Sequence, residues 1–230
     1  MKKSILISLA LLMFSTVTSA LDVNITQNMP YLTVDHNGET VRIQRIQDQS
    51  NLLSGGFSKT SRKCPPFCIQ PMTVAPGVTT YGELEVIDFI NTKVKSKQGV
   101  LIDARTPSWH AKGTIPGSIN IPFTTFALSR NDKKLISAMK TLGVERRKTA
   151  ASGYWVDLKD LLGIEKKPNQ FWDFSAAKNL LLWCNGMWCG QSPRAIQGLI
   201  KLGYPVEKLH YYRDGMQAWQ ILGLTVTIPK

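Results

Sequence analysis

Over residues 31–46 the apolar residues alternate with polar ones. Residues 31–34 and 41–46 show this alternation on either side of a short polar stretch that ends in Asn37 and Gly38. An Asn-Gly dipeptide between two alternating segments is the strongest short-range signal for a β-hairpin. We therefore predict a small hairpin over residues 31–46.

Further along the chain the apolar residues cluster instead of alternating. Residues 100–103 and 179–184 are compact apolar runs bounded by polar turns. Such runs are typical of strands buried on both faces, as in a parallel sheet covered by helices. Helical periodicity occurs before the first run, where Leu84, Val86, Ile87 and Ile90 are assigned to one face, and after the second, over residues 195–202. This order predicts an α/β fold with an open parallel sheet flanked by helices.

The same patterns divide the chain into stretches. We expect residues 21–78 to form an extension that consists of the hairpin and a loop-rich segment without periodicity. Residues 79–230 are expected to form the α/β domain, with a basic helical insertion at about residues 127–170. The insertion is interpreted as a solvated helical face, because its charges occur without the aromatic interleaving of a nucleic-acid site.

Residues 1–20 have the pattern of an export signal. Lys2 and Lys3 form a basic start, residues 5–14 are apolar, and small residues at 18–20 form a cleavage site. The apolar run is shorter than the roughly 20 residues that span a bilayer. We expect cleavage near Ala20, a periplasmic or secreted protein and no stable membrane span.

Composition and charge narrow the range of partners. The chain has 230 residues, of which 43% are hydrophobic, so a wholly disordered chain is excluded. There are 28 Lys and Arg against 16 Asp and Glu, a net charge of +12. Without Lys2 and Lys3 the balance is 26 against 16, or +10. This excess favours small anionic partners, and we predict no nucleic acid.

The four cysteines form two local pairs. Cys64 and Cys68 lie in the extension and are a possible disulfide, whereas Cys184 and Cys189 follow the second buried run. In an oxidising compartment disulfides persist, and four cysteines allow three complete pairings. Neither spacing is the two-residue knuckle usual for zinc, so no metal is predicted.

Cys184 lies where chemistry is expected. It ends a buried strand and is followed by a glycine-containing loop and a helix, which places its sulfur in the crevice where open α/β sheets bind ligands. Backbone N–H groups and the positive end of the helix would lower the pKa of this thiol and hold an anion. Arg194, on the first helical turn, would add a positive charge. The other candidate binding residues are Gly186, Trp188, Gly190, Gln191 and Ser192.

Three ordered motifs carry a resemblance to a known family. They are residues 100–105 followed by 113–122, the strand ending at Cys184 with its helix up to residue 204, and residues 212–219. Together they resemble the rhodanese domain of the sulfurtransferases, over roughly residues 80–226. The resemblance implies a single parallel-sheet domain whose cysteine takes sulfane sulfur from an anionic donor, such as thiosulfate or a persulfide, and passes it to a thiol or cyanide-like acceptor. It implies no cofactor. A redox or sulfur-carrier protein is a further candidate partner, and Asp103 and Arg105 are expected to have a structural role.

Two questions stay open at this point. Cys184 lies at the end of the strand, where the family has its cysteine, which favours it as the nucleophile. The short spacing between cysteine and arginine in the family's loop is instead reproduced by Cys189 and Arg194, which favours Cys189. We favour Cys184 for sulfur acceptance, with Cys189 as a resolving or alternative thiol. The alternative functions are a thiol–disulfide redox protein that uses this pair, and a non-catalytic binding module whose cysteines are structural.

Overall fold

The structure is a computed structural model that describes residues 22–147 and 171–229. The expected export signal and residues 148–170 of the expected insertion lie outside the described residues. The described strands are β1 (Tyr31–His36), β2 (Glu39–Gln44), β3 (Thr79–Thr80), β4 (Gly99–Asp103), β5 (Ser118–Asn120), β6 (Glu145–Arg146), β7 (Trp172–Asp173), β8 (Asn179–Trp183) and β9 (Leu209–Tyr212). The described α-helices are α1 (Glu83–Phe89), α2 (Pro107–His110), α3 (Lys133–Thr141), α4 (Gln191–Lys201) and α5 (Gly215–Ile221).

A five-stranded parallel sheet organises the domain, in the order β3-β9-β8-β4-β5. In β4 and β8, Leu101 lies beside Leu181 and Ile102 beside Leu182. The first pair packs into the apolar cluster on one face of the sheet, and the second pair into the cluster on the other face. Both faces of the central strands are therefore covered, which explains their unbroken apolar runs. The predicted α/β fold is confirmed.

The predicted hairpin is also present. Strands β1 and β2 are antiparallel, with Val34 opposite Val41. Asn37 and Gly38 form the turn with φ values of 55° and 82°, the left-handed backbone that a two-residue hairpin turn requires. Leu32 and Ile43 are buried in the same cluster as α1, so the hairpin packs against the parallel-sheet domain.

Helix α1 differs from the prediction at one position. Val86, Ile87 and Ile90 are buried, but Leu84 is 53% exposed, so its assignment to the apolar face was wrong. At 100° per residue, Leu84 lies about 110° from the centre of the face that the other three share. Helical spacing alone therefore assigns Leu84, in the first turn of α1, to a buried face that it does not share.

The described part of the basic insertion contains α3. Asp132 caps this helix by accepting a hydrogen bond from the Lys134 backbone N–H at 2.7 Å, and Leu135 and Met139 are buried beneath it. Lys133 and Lys134 point to solvent. None of the helices in the described residues is long and apolar enough to cross a membrane.

Candidate active site

The backbone that follows β8 is held by the start of α5. Cys184 comes directly after the last residue of the strand. Its carbonyl accepts a hydrogen bond from the Met216 N–H at 3.0 Å, and the Asn185 carbonyl accepts one from the Gln217 N–H at 3.0 Å. These bonds fix the peptide units on both sides of the chain turn, so the cysteine side chain has a defined direction.

Gly215 makes this close approach possible. Its φ is +54°, and a Cβ atom added there would lie 2.2 Å from the Cys184 carbonyl oxygen. No side chain fits at that distance, and left-handed backbone is itself unfavourable for residues other than glycine. The close contact with the Cys184 backbone therefore explains why the motif at residues 212–219 has a glycine at position 215.

The Cys184 sulfur is fully buried and surrounded by hydrogen-bond donors. The Ser192 hydroxyl donates to Sγ at 3.0 Å. The backbone N–H groups of Gly186 and Ser192 and the thiol of Cys189 also lie close enough to act on the pKa of this sulfur. The donors near the sulfur thus come both from the loop after β8 and from the first turn of α4.

Opposing effects set the pKa of Cys184. Burial raises the pKa, because it disfavours the thiolate. The hydrogen bonds from Cys189, the Ser192 hydroxyl and the backbone N–H groups stabilise the thiolate, and together they lower the pKa to about 7. The thiol form instead donates to the Cys189 carbonyl at 3.1 Å, a contact that favours the protonated state. Several donors act against one acceptor, so Cys184 is the thiol that ionises near neutral pH.

Cys189 has the opposite environment. Its hydrogen bond to Cys184, its burial and the charge of the neighbouring thiolate all raise its pKa. When Cys184 is protonated, the Cys189 thiol can donate instead to the side-chain oxygen of Gln191, at 3.7 Å from Sγ. The two thiols thus form an unequal pair, with Cys184 as the stronger candidate for the nucleophile.

The remaining predicted residues divide into two groups. Gly186 and Gly190 shape the loop, since the Gly186 carbonyl accepts from the Cys189 N–H at 2.8 Å and Gly190 caps α4. Arg194 is exposed, with its guanidinium over the ring of Phe123 at 5.6 Å, so the structure does not bring it to the cysteine sulfurs. It lies two residues beyond buried Ser192, a rotation of about 200° that turns it away from the site.

Asp103 and Arg105 form a buried ion pair that extends to the cysteine loop, here defined as residues 184–190. The Arg105 guanidinium lies 2.7 Å from the Asp103 carboxylate and also donates to the Asn185 side-chain oxygen at 3.2 Å. Burial raises the pKa of Asp103, but hydrogen bonds from Arg105 and His110 outweigh burial and lower it. The pair fixes the residue next to Cys184.

Sequence reasoning missed the contacts between the extension and the cysteine loop. The Gln70 N–H donates to the Met187 carbonyl at 2.8 Å, and the rings of Phe67 and Trp188 lie 5.4 Å apart. The Arg62 guanidinium lies over Trp188 at 3.9 Å. Trp188, predicted as a substrate-flanking residue, is therefore covered by the extension and only 8% exposed.

The first cysteine pair lies within this covering segment. The structure joins Cys64 and Cys68 as a disulfide, with Cα atoms 4.7 Å apart, and leaves Cys184 and Cys189 as free thiols. The closed loop includes Phe67, so the disulfide holds the aromatic ring that packs on Trp188. Among the described residues, no group of three or more metal-ligating side chains could hold a metal ion.

The fold and site define a parallel α/β protein with a cysteine at the end of a central strand. The family model described as rhodanese-like domain matches residues 88–222, more than half of the chain. The chain therefore belongs to the rhodanese-like domain family.

Solved structures also resemble the chain. A human single-domain sulfurtransferase shares 20% identity, covering 64% of this chain and 97% of that one, with a TM-score of 0.35. A rhodanese-related protein from Thermoplasma volcanium shares 18% identity, covering 66% of this chain and 99% of that one, with a TM-score of 0.35. Thiosulfate sulfurtransferase from Pseudomonas aeruginosa shares 15% identity, covering 66% of this chain and 21% of that one, with a TM-score of 0.35. Because these TM-scores lie below 0.5, the family assignment rests on the family match. No curated protein sequence matches the chain significantly.

Proposed function

We propose that the protein is an exported sulfurtransferase that carries sulfane sulfur on Cys184. The observation that carries this proposal is a fully buried cysteine with a pKa lowered to about 7 and hydrogen-bond donors around its sulfur. A thiolate at neutral pH is the nucleophile that sulfur transfer needs. The same donors stabilise a persulfide anion on this sulfur.

In the first step the Cys184 thiolate attacks the outer sulfur of a donor such as thiosulfate. The new bond joins Sγ to the sulfane sulfur, and the sulfur–sulfur bond of the donor breaks. Sulfite leaves with the bonding electron pair, so the enzyme becomes a persulfide and no external oxidant or reductant is required. The Ser192 hydroxyl and the Gly186 N–H, which already contact Sγ, support the negative charge on the sulfur atoms.

In the second step a thiophilic acceptor, such as cyanide or a thiolate, attacks the outer sulfur of the persulfide. The bond between this sulfur and Sγ breaks, and the Cys184 thiolate is the leaving group. Its lowered pKa makes it a good leaving group, because the same hydrogen bonds that activate the thiolate stabilise it on departure. The enzyme returns to its starting state.

Mass spectrometry of the cysteine-loop peptide tests this proposal. After incubation with thiosulfate and removal of the excess, we expect a mass gain of one sulfur atom on Cys184, and its loss on addition of cyanide. A Cys184→Ser protein treated in the same way is the control and should gain nothing. An unchanged mass in the native protein would contradict sulfur transfer.

A thiol–disulfide redox function is the second candidate, and the contact between the two buried thiols favours it. Attack of the Cys184 thiolate on a partner disulfide, followed by attack of Cys189, would leave a Cys184–Cys189 disulfide and a reduced partner. The same mass measurement separates the two candidates. The redox function would be favoured if the mass falls by two hydrogen atoms on exposure to a disulfide compound, returns on addition of a reductant and shows no gain of sulfur.

The pKa of Cys184 predicts the pH dependence of persulfide formation. Below the pKa the sulfur is a thiol and unreactive, so we expect the rate to rise about tenfold per pH unit up to about pH 7 and to level off above it. Ser192→Ala removes a donor to the thiolate and should move the inflection to higher pH. Ser137→Ala, an exposed position on α3, is the matched control. Rapid-mixing kinetics with thiosulfate measure both profiles, and an inflection that Ser192→Ala leaves in place would refute the assigned role.

A further inference from the structure

Arg62 belongs to the extension, outside the matched family region, yet it contacts the cysteine loop. The carbon at the centre of its guanidinium lies 3.9 Å from the centroid of the Trp188 ring. Trp188 in turn packs in one buried cluster with Cys184 and Cys189. The extension thus brings a full positive charge to the loop that holds the reactive sulfur.

The Arg62 guanidinium has an unmet hydrogen-bond donor. One terminal nitrogen donates to the Gly56 carbonyl, but the buried Nε–H has no hydrogen-bond partner among the described residues. No described carboxylate forms an ion pair with it. A buried donor without a partner carries a desolvation penalty, which is removed when an acceptor binds. The most favourable acceptor for a guanidinium is an anion.

The other arginines around the cysteine loop are engaged elsewhere. Arg105 is paired with Asp103, and Arg213 donates to the Gln70 carbonyl at 2.9 Å and to Asp214 at 3.2 Å. Arg194 lies exposed over Phe123. Of these four side chains, Arg62 is the one with a buried donor left for a ligand.

We propose that Arg62 binds the anionic head of the sulfur donor, an inference that rests on the proposed function. A guanidinium held over an indole by the cation–π interaction has a fixed position, and its N–H groups point outward around its own edge. Those groups match the oxygens of a small oxyanion, such as the sulfonate-like head of thiosulfate. The extension therefore supplies the arginine that binds the substrate, in place of Arg194.

Calorimetric titration with sodium thiosulfate tests this role without turnover. In a Cys184→Ser background, where no sulfur transfer occurs, we expect Arg62→Ala to weaken thiosulfate binding by about 10- to 100-fold. Arg194→Ala is the matched control, since it removes the same charge from an exposed position, and should leave the dissociation constant within about twofold of the parent. Equal binding by the Arg62→Ala protein, or no binding of thiosulfate to the Cys184→Ser parent, would overturn the inference.

Free guanidinium ion distinguishes a lost ligand from a disturbed extension. Added at a concentration well below that which unfolds the protein, it should restore part of the thiosulfate affinity of Arg62→Ala by replacing the missing group. Weakened binding without any such recovery would overturn the direct role. Failure of the proposed function is a separate result: thiosulfate would bind through Arg62, but the native protein would gain no sulfur on Cys184.

Discussion

Cys184→Ser is expected to lower thiosulfate:cyanide sulfurtransferase activity by roughly a thousandfold or more, to the rate without enzyme. Serine keeps the shape of the side chain, but its hydroxyl is not ionised near neutral pH and cannot hold sulfane sulfur. The buried sulfur of Cys184 is the atom to which Ser192 donates, so the stabilisation of a thiolate or persulfide at this position is lost with it. Thiocyanate production at saturating donor measures the effect.

Cys189→Ser is the matched control for this prediction. Its pKa is raised, so it contributes no thiolate near neutral pH, and we expect the variant to retain activity within about tenfold of the parent. The opposite result, with activity lost in Cys189→Ser and kept in Cys184→Ser, would assign the nucleophile to Cys189. Activity equal to that of the parent in a Cys184→Ser, Cys189→Ser double variant would exclude transfer through either cysteine.

Gly215→Ala is expected to destabilise the protein by about 2–4 kcal/mol. The added Cβ would meet the Cys184 carbonyl oxygen at 2.2 Å, and α5 and the cysteine loop would have to separate. That movement breaks the hydrogen bonds from Met216 and Gln217, so activity should fall together with stability. Urea unfolding followed by tryptophan fluorescence measures the free energy change.

Gly38→Ala separates the clash from the backbone conformation. Gly38 also has a positive φ, +82°, but nothing lies within 4 Å of an added Cβ. This variant should lower the free energy of unfolding by only about 1 kcal/mol, the penalty of the left-handed conformation. If the two variants lose equal stability, the close approach of α5 to Cys184 is not what requires a glycine at position 215.

Local signals predicted much of the fold. The buried strands predicted at 100–103 and 179–184 and the Asn37-Gly38 turn follow from short-range patterns. The structure confirms the turn and both strands, as Gly99–Asp103 and Asn179–Trp183. Those patterns depend on burial and backbone preference, which act over a few residues. Leu84 shows the limit, because a face inferred from spacing alone assigned one exposed residue to the core.

The candidate site was predictable only in part. The placement of Cys184 beside a helix start follows from the strand, loop and helix order along one stretch of chain. Arg194 was placed on the correct helix, but its direction depends on which face of α4 packs against the sheet. Arg62 meets Trp188 through tertiary packing between the extension and the domain. No motif or period in the sequence of the extension encodes that contact.

The complete burial of Cys184 has a consequence for the rate of catalysis. An atom without exposed surface cannot meet a donor in solution, so a donor cannot reach Cys184 in the arrangement that the structure shows. Under the proposed function, each round of transfer would require the extension or the cysteine loop to shift twice, once to admit the donor and once to admit the acceptor. The frequency of that opening sets an upper limit on turnover, however reactive the thiolate is. Between the two openings the sulfur held on Cys184 would be shielded from water and from reductants in solution.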